Sequence, residues 1–294
     1  MTGAGRPASV RRRVRLARGP VTIGEPAAVV EAQLAAAEPY RPDTVADGGN
    51  VFGLTVRAAS VRGLFKRYAG GPRQDDICLR VHQASGTLIA AVADGVSGAP
   101  RSGLGAALAV RYATDAVARQ LDGDGLDWPR VFEQAAWALV EEHRRSSGDV
   151  GAGVEEASKS LATTLLVATV RGSEVEVAAV GDSPAFMLHG RDYDPIVGSP
   201  DCVDGFVGGG VESLPRFSGS SAVARSSLEP GAVLLLCTDG LAMPLAGGDG
   251  EVGQALAREL ARPPDVVDFA RLLDFSRSTY DDDRSLIAVW GAGK

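Results

Sequence analysis

Two unbroken apolar runs end in the same dipeptide. Residues 88–93 lead into Asp94-Gly95, and residues 233–237 reach Asp239-Gly240 through Thr238. Both runs predict buried strands, so each acid sits where a sheet opens to solvent. The other Asp-Gly pairs, at 47–48, 122–123, 124–125, 204–205 and 249–250, lie among glycines and polar residues and read as turns. Around these runs the pattern predicts further elements. Residues 77–83 and 87–93 are strands joined by Ala84-Ser85-Gly86, and residues 104–121, rich in alanine, form a long helix. Asp127 caps the next helix, with Pro129 in its first turn and Phe132, Ala136, Leu139 and Val140 along one face.

A hairpin follows. Residues 163–170 lead through Arg171-Gly172 to residues 173–181, where Val175, Val177 and Ala179 alternate with Glu174 and Glu176. That alternation predicts one buried and one wet face, as in an antiparallel sheet. Residues 186–189 are the next strand. Residues 190–230, with Gly208-Gly209-Gly210, read as an irregular surface loop or flap. A core strand at 232–238, a helix at 266–275 and a strand at 285–290 close the pattern. Antiparallel strands with grouped helices give an α+β fold of sheets covered by helices.

Composition adds limits. The chain has 294 residues, 45% of them apolar, enough for a substantial core. A net charge of −7 gives no basis for a nucleic-acid-binding body. Three cysteines (Cys78, Cys202, Cys237) lack paired spacing, which argues against a disulfide framework or zinc site and for a reducing, cytoplasmic setting. No apolar stretch approaches the ~20 residues of a membrane span. Residues 1–18 hold Arg6, Arg11, Arg12, Arg13, Arg15 and Arg18 and no acid. They read as a solvated basic arm, so residues 1–49 are expected to be flexible, with a short helix at 28–37, and residues 50–294 to form the folded domain.

The acids collect at strand ends. Asp75 and Asp76 precede the strand at 77–83, Asp94 and Asp239 end strands, Asp182 ends the strand at 175–181, and Asp281, Asp282 and Asp283 lead into the last strand. Several carboxylates brought to one place repel one another, and hard divalent cations such as Mg²⁺ or Mn²⁺ need that kind of oxygen-only donor set.

In this order the motifs resemble those of the PP2C (PPM) family of metal-dependent protein serine/threonine phosphatases of bacterial type, over about residues 55–291. The resemblance rests on Gln74-Asp75, Ala91-Val92-Ala93-Asp94-Gly95, Ala162-Thr163-Thr164, Ala179-Val180-Gly181-Asp182-Ser183, Leu235-Leu236-Cys237-Thr238-Asp239-Gly240-Leu241 and Asp282-Asp283-Arg284-Ser285-Leu286. It implies two stacked antiparallel sheets flanked by helices, a four-layer αββα sandwich, with two Mn²⁺ or Mg²⁺ ions between the sheets. Asp94 would bridge both ions, the Gly95 carbonyl would hold one, Asp75 would act mainly through bound water, and Asp239 and Asp282 would complete the pair. Asp182 matches the acid that helps hold a third ion.

The implied reaction is hydrolysis of phosphoserine or phosphothreonine by a metal-activated water, on a phosphorylated substrate of a cytoplasmic kinase. Two positions depart from the family pattern. Val96 stands where many members have a histidine after the first Asp-Gly, and Gly70 where many have a phosphate-gripping arginine. Arg73 is the nearest candidate for that grip. The alternative reading is a phosphatase-fold regulatory or phosphoprotein-binding protein with little turnover. A third makes the basic arm the working part of a scaffold.

Overall fold

A computed structural model describes residues 21–35, 41–123, 125–198 and 212–291. The arginines of residues 1–18, Cys202 and the 208–210 glycines lie outside these. The chain opens with β1 (Val21–Thr22), β2 (Thr44–Val51), β3 (Leu54–Val61) and a short helix α1 (Leu64–Ala69). The hairpin β4 (Asp76–His82) and β5 (Thr87–Ala93) leads into helices α2 (Ser102–Leu121), α3 (Trp128–Ser147) and α4 (Val154–Leu161). Next come β6 (Leu165–Arg171), β7 (Glu174–Val180), β8 (Ala185–His189) and β9 (Asp192–Val197). The last third holds β10 (Ala222–Ser227), β11 (Ala232–Cys237), α5 (Asp239–Leu245), α6 (Glu251–Glu259), α7 (Val266–Leu273), β12 (Phe275–Ser276) and β13 (Arg284–Trp290).

Two antiparallel sheets stack face to face. One runs β10-β7-β6-β5-β4 and the other β2-β3-β13-β11-β8-β9, while β1 and β12 form a separate parallel pair. The apolar runs never alternate with polar residues because both faces of their strands are covered. In β5, Leu88, Ala90 and Val92 join the core between the sheets, whereas Ile89, Ala91 and Ala93 pack with α2 and α3. In β11, Leu234 and Leu236 face the other sheet, and Val233, Leu235 and Cys237 pack with α5, α6 and α7. Three apolar layers therefore separate four layers of secondary structure, the expected αββα sandwich.

The helices follow their sequence signals. Asp127 caps α3, its side chain accepting from the Arg130 backbone N–H at 3.2 Å. The small residues Ala106, Ala109, Ala113 and Ala116 of α2 are fully buried and let that helix lie close on the sheet.

Five expectations need correction. The boundary at residues 49–50 falls inside β2, which pairs with β3 from Thr44↔Val61 to Val51↔Leu54, so sheet pairing begins at residue 44. Asp47-Gly48 consequently lies within a strand and is not a turn. Residues 28–35 carry no helix. The 190–230 region is less irregular than its glycines suggest, since β9 and β10 bracket it as edge strands of the two sheets. Finally, the outer face of β7 is wet only near its hairpin turn. The carboxylate of Glu176 accepts from Trp128 Nε1 at 2.7 Å, and Ala178 and Val180 are buried against the helices.

Candidate functional site

Acids from both sheets converge at one edge of the sandwich. Asp94 directly follows β5 in one sheet, and Asp239 follows β11 of the other as the first residue of α5. Asp75 lies just before β4, and Asp282 just before β13. The side chains of Asp94 and Asp239 are within hydrogen-bonding reach. Burial, then the charges of Asp75 and Asp239, hold the Asp94 carboxyl well above the ordinary carboxylate range, and Asp282 adds to that effect. Asp182 is exposed, yet partial burial of its carboxyl and the charge of Asp239 raise its pKa too.

Each acid has a structural reason for its place. The Asp94 carbonyl accepts from Thr164 N and Thr163 Oγ1, both at 2.8 Å, and its N–H donates to Thr164 Oγ1 at 3.1 Å. Thr164 Oγ1 also meets Ser183 Oγ at 2.9 Å, which ties Asp94 to the Gly181-Asp182-Ser183 turn. The Ala162-Thr163-Thr164 motif thus serves as the anchor of the first acid. Asp75 is 1% exposed, and its Oδ2 accepts from Thr238 Oγ1 at 2.7 Å and Ser285 Oγ at 2.8 Å. Burial and the charge of Asp283 push its pKa up to about 8 against the lowering effect of those two hydroxyls.

The glycine of each Asp-Gly pair is required by crowding. A Cβ on Gly95 would meet the Gln74 carbonyl at 2.8 Å and Ser102 Cβ at 2.9 Å, and one on Gly240 would collide with the Asp283 carbonyl oxygen. Neither residue has positive φ, so neither pair is a turn of the type that favours glycine. Gly240→Ala should therefore cost about 3 kcal/mol of stability by overpacking. Denaturant unfolding of the variant beside the parent protein checks this.

Asp282 and Asp283 divide the labour at the start of β13. Asp282 is half exposed, its Oδ1 accepting from Asp283 N at 2.8 Å with Lys66 Nζ at 3.7 Å. Asp283 is 2% exposed, its Oδ1 and Oδ2 each accepting a backbone N–H at 2.6 Å, from Gly63 and Gln74. It stitches the loop carrying Asp75 to the strand carrying Asp282.

Arg73, the candidate for gripping phosphate, faces inward. It is 1% exposed, and its guanidinium donates to Ser60 Oγ at 2.7 Å, to the Pro42 carbonyl at 3.3 Å and to the Asp75 carbonyl. These contacts make it part of the framework beneath Asp75. Cys237 is also buried, and that burial raises its thiol pKa, as suits a packing residue.

Arg41 is the residue the sequence did not reveal. From the stretch before β2 it donates Nε to the Arg73 carbonyl at 2.8 Å, Nη2 to the Asp75 carbonyl at 2.8 Å and Nη1 to Asp76 Oδ2 at 3.0 Å. No spacing or periodicity marks it, because its three partners are more than thirty residues away.

Among the described residues, no group of three or more His, Cys, Asp or Glu side chains is preassembled as a ligand cage. The donor set nevertheless fits a hard divalent cation. It is all oxygen, it is drawn from two sheets, and burial together with neighbouring carboxylates raises the pKa of Asp75 and Asp94, a cost that a bound cation would offset.

A sequence model of the family described as Protein phosphatase 2C matches residues 62–276. No curated protein matches the chain in sequence. Among solved structures, the S. agalactiae serine/threonine phosphatase is similar at TM-score 0.56 and 16% identity, over 81% of this chain and 99% of that one. The catalytic domain of the serine/threonine protein phosphatase PstP, in complex with two manganese ions, aligns at TM-score 0.54 and 18% identity, over 80% and 97%. PppA, a regulatory component of the type VI secretion system of Pseudomonas aeruginosa, aligns at 0.54 and 17%, over 83% and 99%. At these identities the likeness is one of fold.

Proposed function

The chain belongs to the protein phosphatase 2C family, and from that membership we propose that it hydrolyses phosphoserine or phosphothreonine in proteins phosphorylated by a serine/threonine kinase. The observation that carries this reading is the convergence of Asp94, Asp239, Asp75 and Asp282 from the two sheets, where burial and like charge raise the pKa of Asp75 and Asp94. Asp75, Asp94, the Gly95 carbonyl, Asp239 and Asp282 would hold two Mn²⁺ or Mg²⁺ ions, and Asp182 would help hold a third. Such ions, when bound, supply an activated water and offset the charge of the phosphoryl oxygens.

The chain's own residues do the rest. Thr163 and Thr164 fix the Asp94 backbone, and the hydroxyls of Thr238 and Ser285 orient the Asp75 carboxyl. Asp239 sits in the first turn of α5, so its position follows that of a packed helix. Lys66 Nζ lies 3.7 Å from the half-exposed Asp282 and is a candidate to meet substrate oxygens. With water as the attacking group no protein nucleophile is needed, and Cys237 stays a buried packing residue.

The test is release of phosphate from para-nitrophenyl phosphate and from a phosphothreonine peptide with Mn²⁺, Mg²⁺ or EDTA. Turnover that needs the cation and is lost in Asp239→Asn supports the reading. No turnover despite bound cation would favour the binding-protein alternative, with Val96 and Gly70 as the first positions to restore.

Arg41 gives a second expectation. Arg41→Ala should weaken Mn²⁺ binding about tenfold by loosening the backbone of Asp75, as loss of an outer residue does at other metal sites. Arg41→Lys should recover only part, since one ammonium does not reproduce a three-point guanidinium fork. The Mn²⁺ concentration giving half-maximal activity, compared with kcat at saturating Mn²⁺, measures this. An unchanged Mn²⁺ requirement would reduce Arg41 to a folding role.

A further inference from the structure

Helix α1 carries Lys66, whose Nζ lies 3.7 Å from Asp282, and yet none of its six residues is buried. Apolar packing does little to fix such a helix, so its polar contacts must. Near its start, Phe65 N donates to the Asp281 carbonyl at 3.0 Å. Arg67 pairs with Asp43 at 3.0 Å and Asp274 at 2.7 Å. The last carbonyls of a helix have no partner within it, and here that of Arg67 accepts from Gln33 N at 2.8 Å. The Gln33 carbonyl in turn accepts from Arg62 Nη2 at 3.0 Å, while Arg62 Nη1 donates to the Gly71 carbonyl just beyond α1 at 3.1 Å. The backbone of one residue, Gln33, is therefore bonded to both ends of the turn that holds α1.

Gln33 belongs to a segment, residues 21–35, that crosses from β12 to α1. Its far end is held by the pairing of β1 with β12, by Ser278 N donating to the Glu25 carbonyl at 2.8 Å and by Ala27 N donating to Ser276 Oγ at 3.1 Å. Between these anchors it is loosely seated. Val29 and Leu34 are exposed, and a cavity of about 420 Å³ lies between residues 27–30, the β3–α1 junction and the α7–β12 segment. A segment with few buried contacts can open without the sheets opening.

We propose that residues 21–35 are a strap that positions α1, and with it Lys66, against the acid cluster, with Gln33 as the positioning residue. The placement of α1 follows from these bonds alone. The consequence for substrate rests on the phosphatase reading, in which Lys66 meets the oxygens of the phosphoresidue.

Gln33→Pro in the full chain tests the strap, because proline removes the N–H donated to the Arg67 carbonyl. Gln33→Ala keeps that N–H and is the control. Hydrogen exchange in EDTA, read by mass spectrometry, follows peptides that cover α1 and peptides that cover β5 and β11. The expected result is exchange of α1 at least about tenfold faster in Gln33→Pro, with Gln33→Ala and the sheet peptides at the parent rate. Unchanged exchange of α1 in Gln33→Pro overturns the proposal. So does faster exchange of α1 and both sheets together, which would make the strap part of global stability. At saturating Mn²⁺, KM for a phosphothreonine peptide should rise roughly fivefold in Gln33→Pro while kcat stays within about twofold, the split expected when binding contacts are lost. An unchanged KM beside a loosened α1 would overturn the link from the strap to Lys66. Failure of every form, the parent included, to turn over the peptide would count against the phosphatase reading and leave the exchange result standing.

Discussion

Asp94→Asn is expected to lower Mn²⁺-dependent phosphatase activity by at least about 10³-fold, since a ligand shared by two ions supports several kcal/mol of transition-state stabilisation and each ~1.4 kcal/mol is tenfold. The same substitution is expected to make the metal-free protein more stable. Burial and the charges of Asp75 and Asp239 disfavour an ionised Asp94, and the neutral amide has nearly its shape without its charge. A variant that is merely misfolded would lose activity and stability together, so opposite signs identify a site residue. The two readouts are initial rates on a phosphopeptide and urea unfolding in EDTA. Retained activity would remove Asp94 from the site.

Asp283→Ala is expected to cost roughly 3 kcal/mol of stability, because it leaves the Gly63 and Gln74 N–H groups without their charged acceptor in a buried place. Burial raises the pKa of Asp283, the two backbone N–H bonds lower it, and those bonds keep the carboxylate useful to the framework. Asp282→Asn, one residue away and half exposed, should leave the unfolding midpoint nearly unchanged and lose cation-dependent activity. Equal destabilisation by both would show that the two acids do not have separate roles.

The pair also shows what the sequence made legible. Asp281, Asp282 and Asp283 lie just before β13, the first two exposed and the third buried. The run itself was plain, but which member turns inward depends on the Gly63 and Gln74 N–H groups that bond Asp283, and these lie more than two hundred residues away in the chain, where no local pattern states them. Asp94 and Asp239 were legible because long apolar runs stop at them, and a strand buried on both faces must end where the sheet meets solvent. β2 was missed for the opposite reason. Its Thr-Val-Ala-Asp-Gly-Gly-Asn-Val sequence is an exposed edge, and it is held by pairing with β3 more than by burial. Arg73 and Arg41 reverse each other: one was the candidate for gripping phosphate and is buried beneath Asp75, and the other fell within the expected flexible arm and clasps the same loop. Both placements depend on contacts across the fold.

Equilibrium binding of Mn²⁺ to the full chain tests the acid cluster most directly. Two tightly bound ions per chain, falling to at most one in Asp94→Asn, is the predicted result. A parent protein that is folded and binds no Mn²⁺ would contradict the assignment of these strand-end acids to a metal centre.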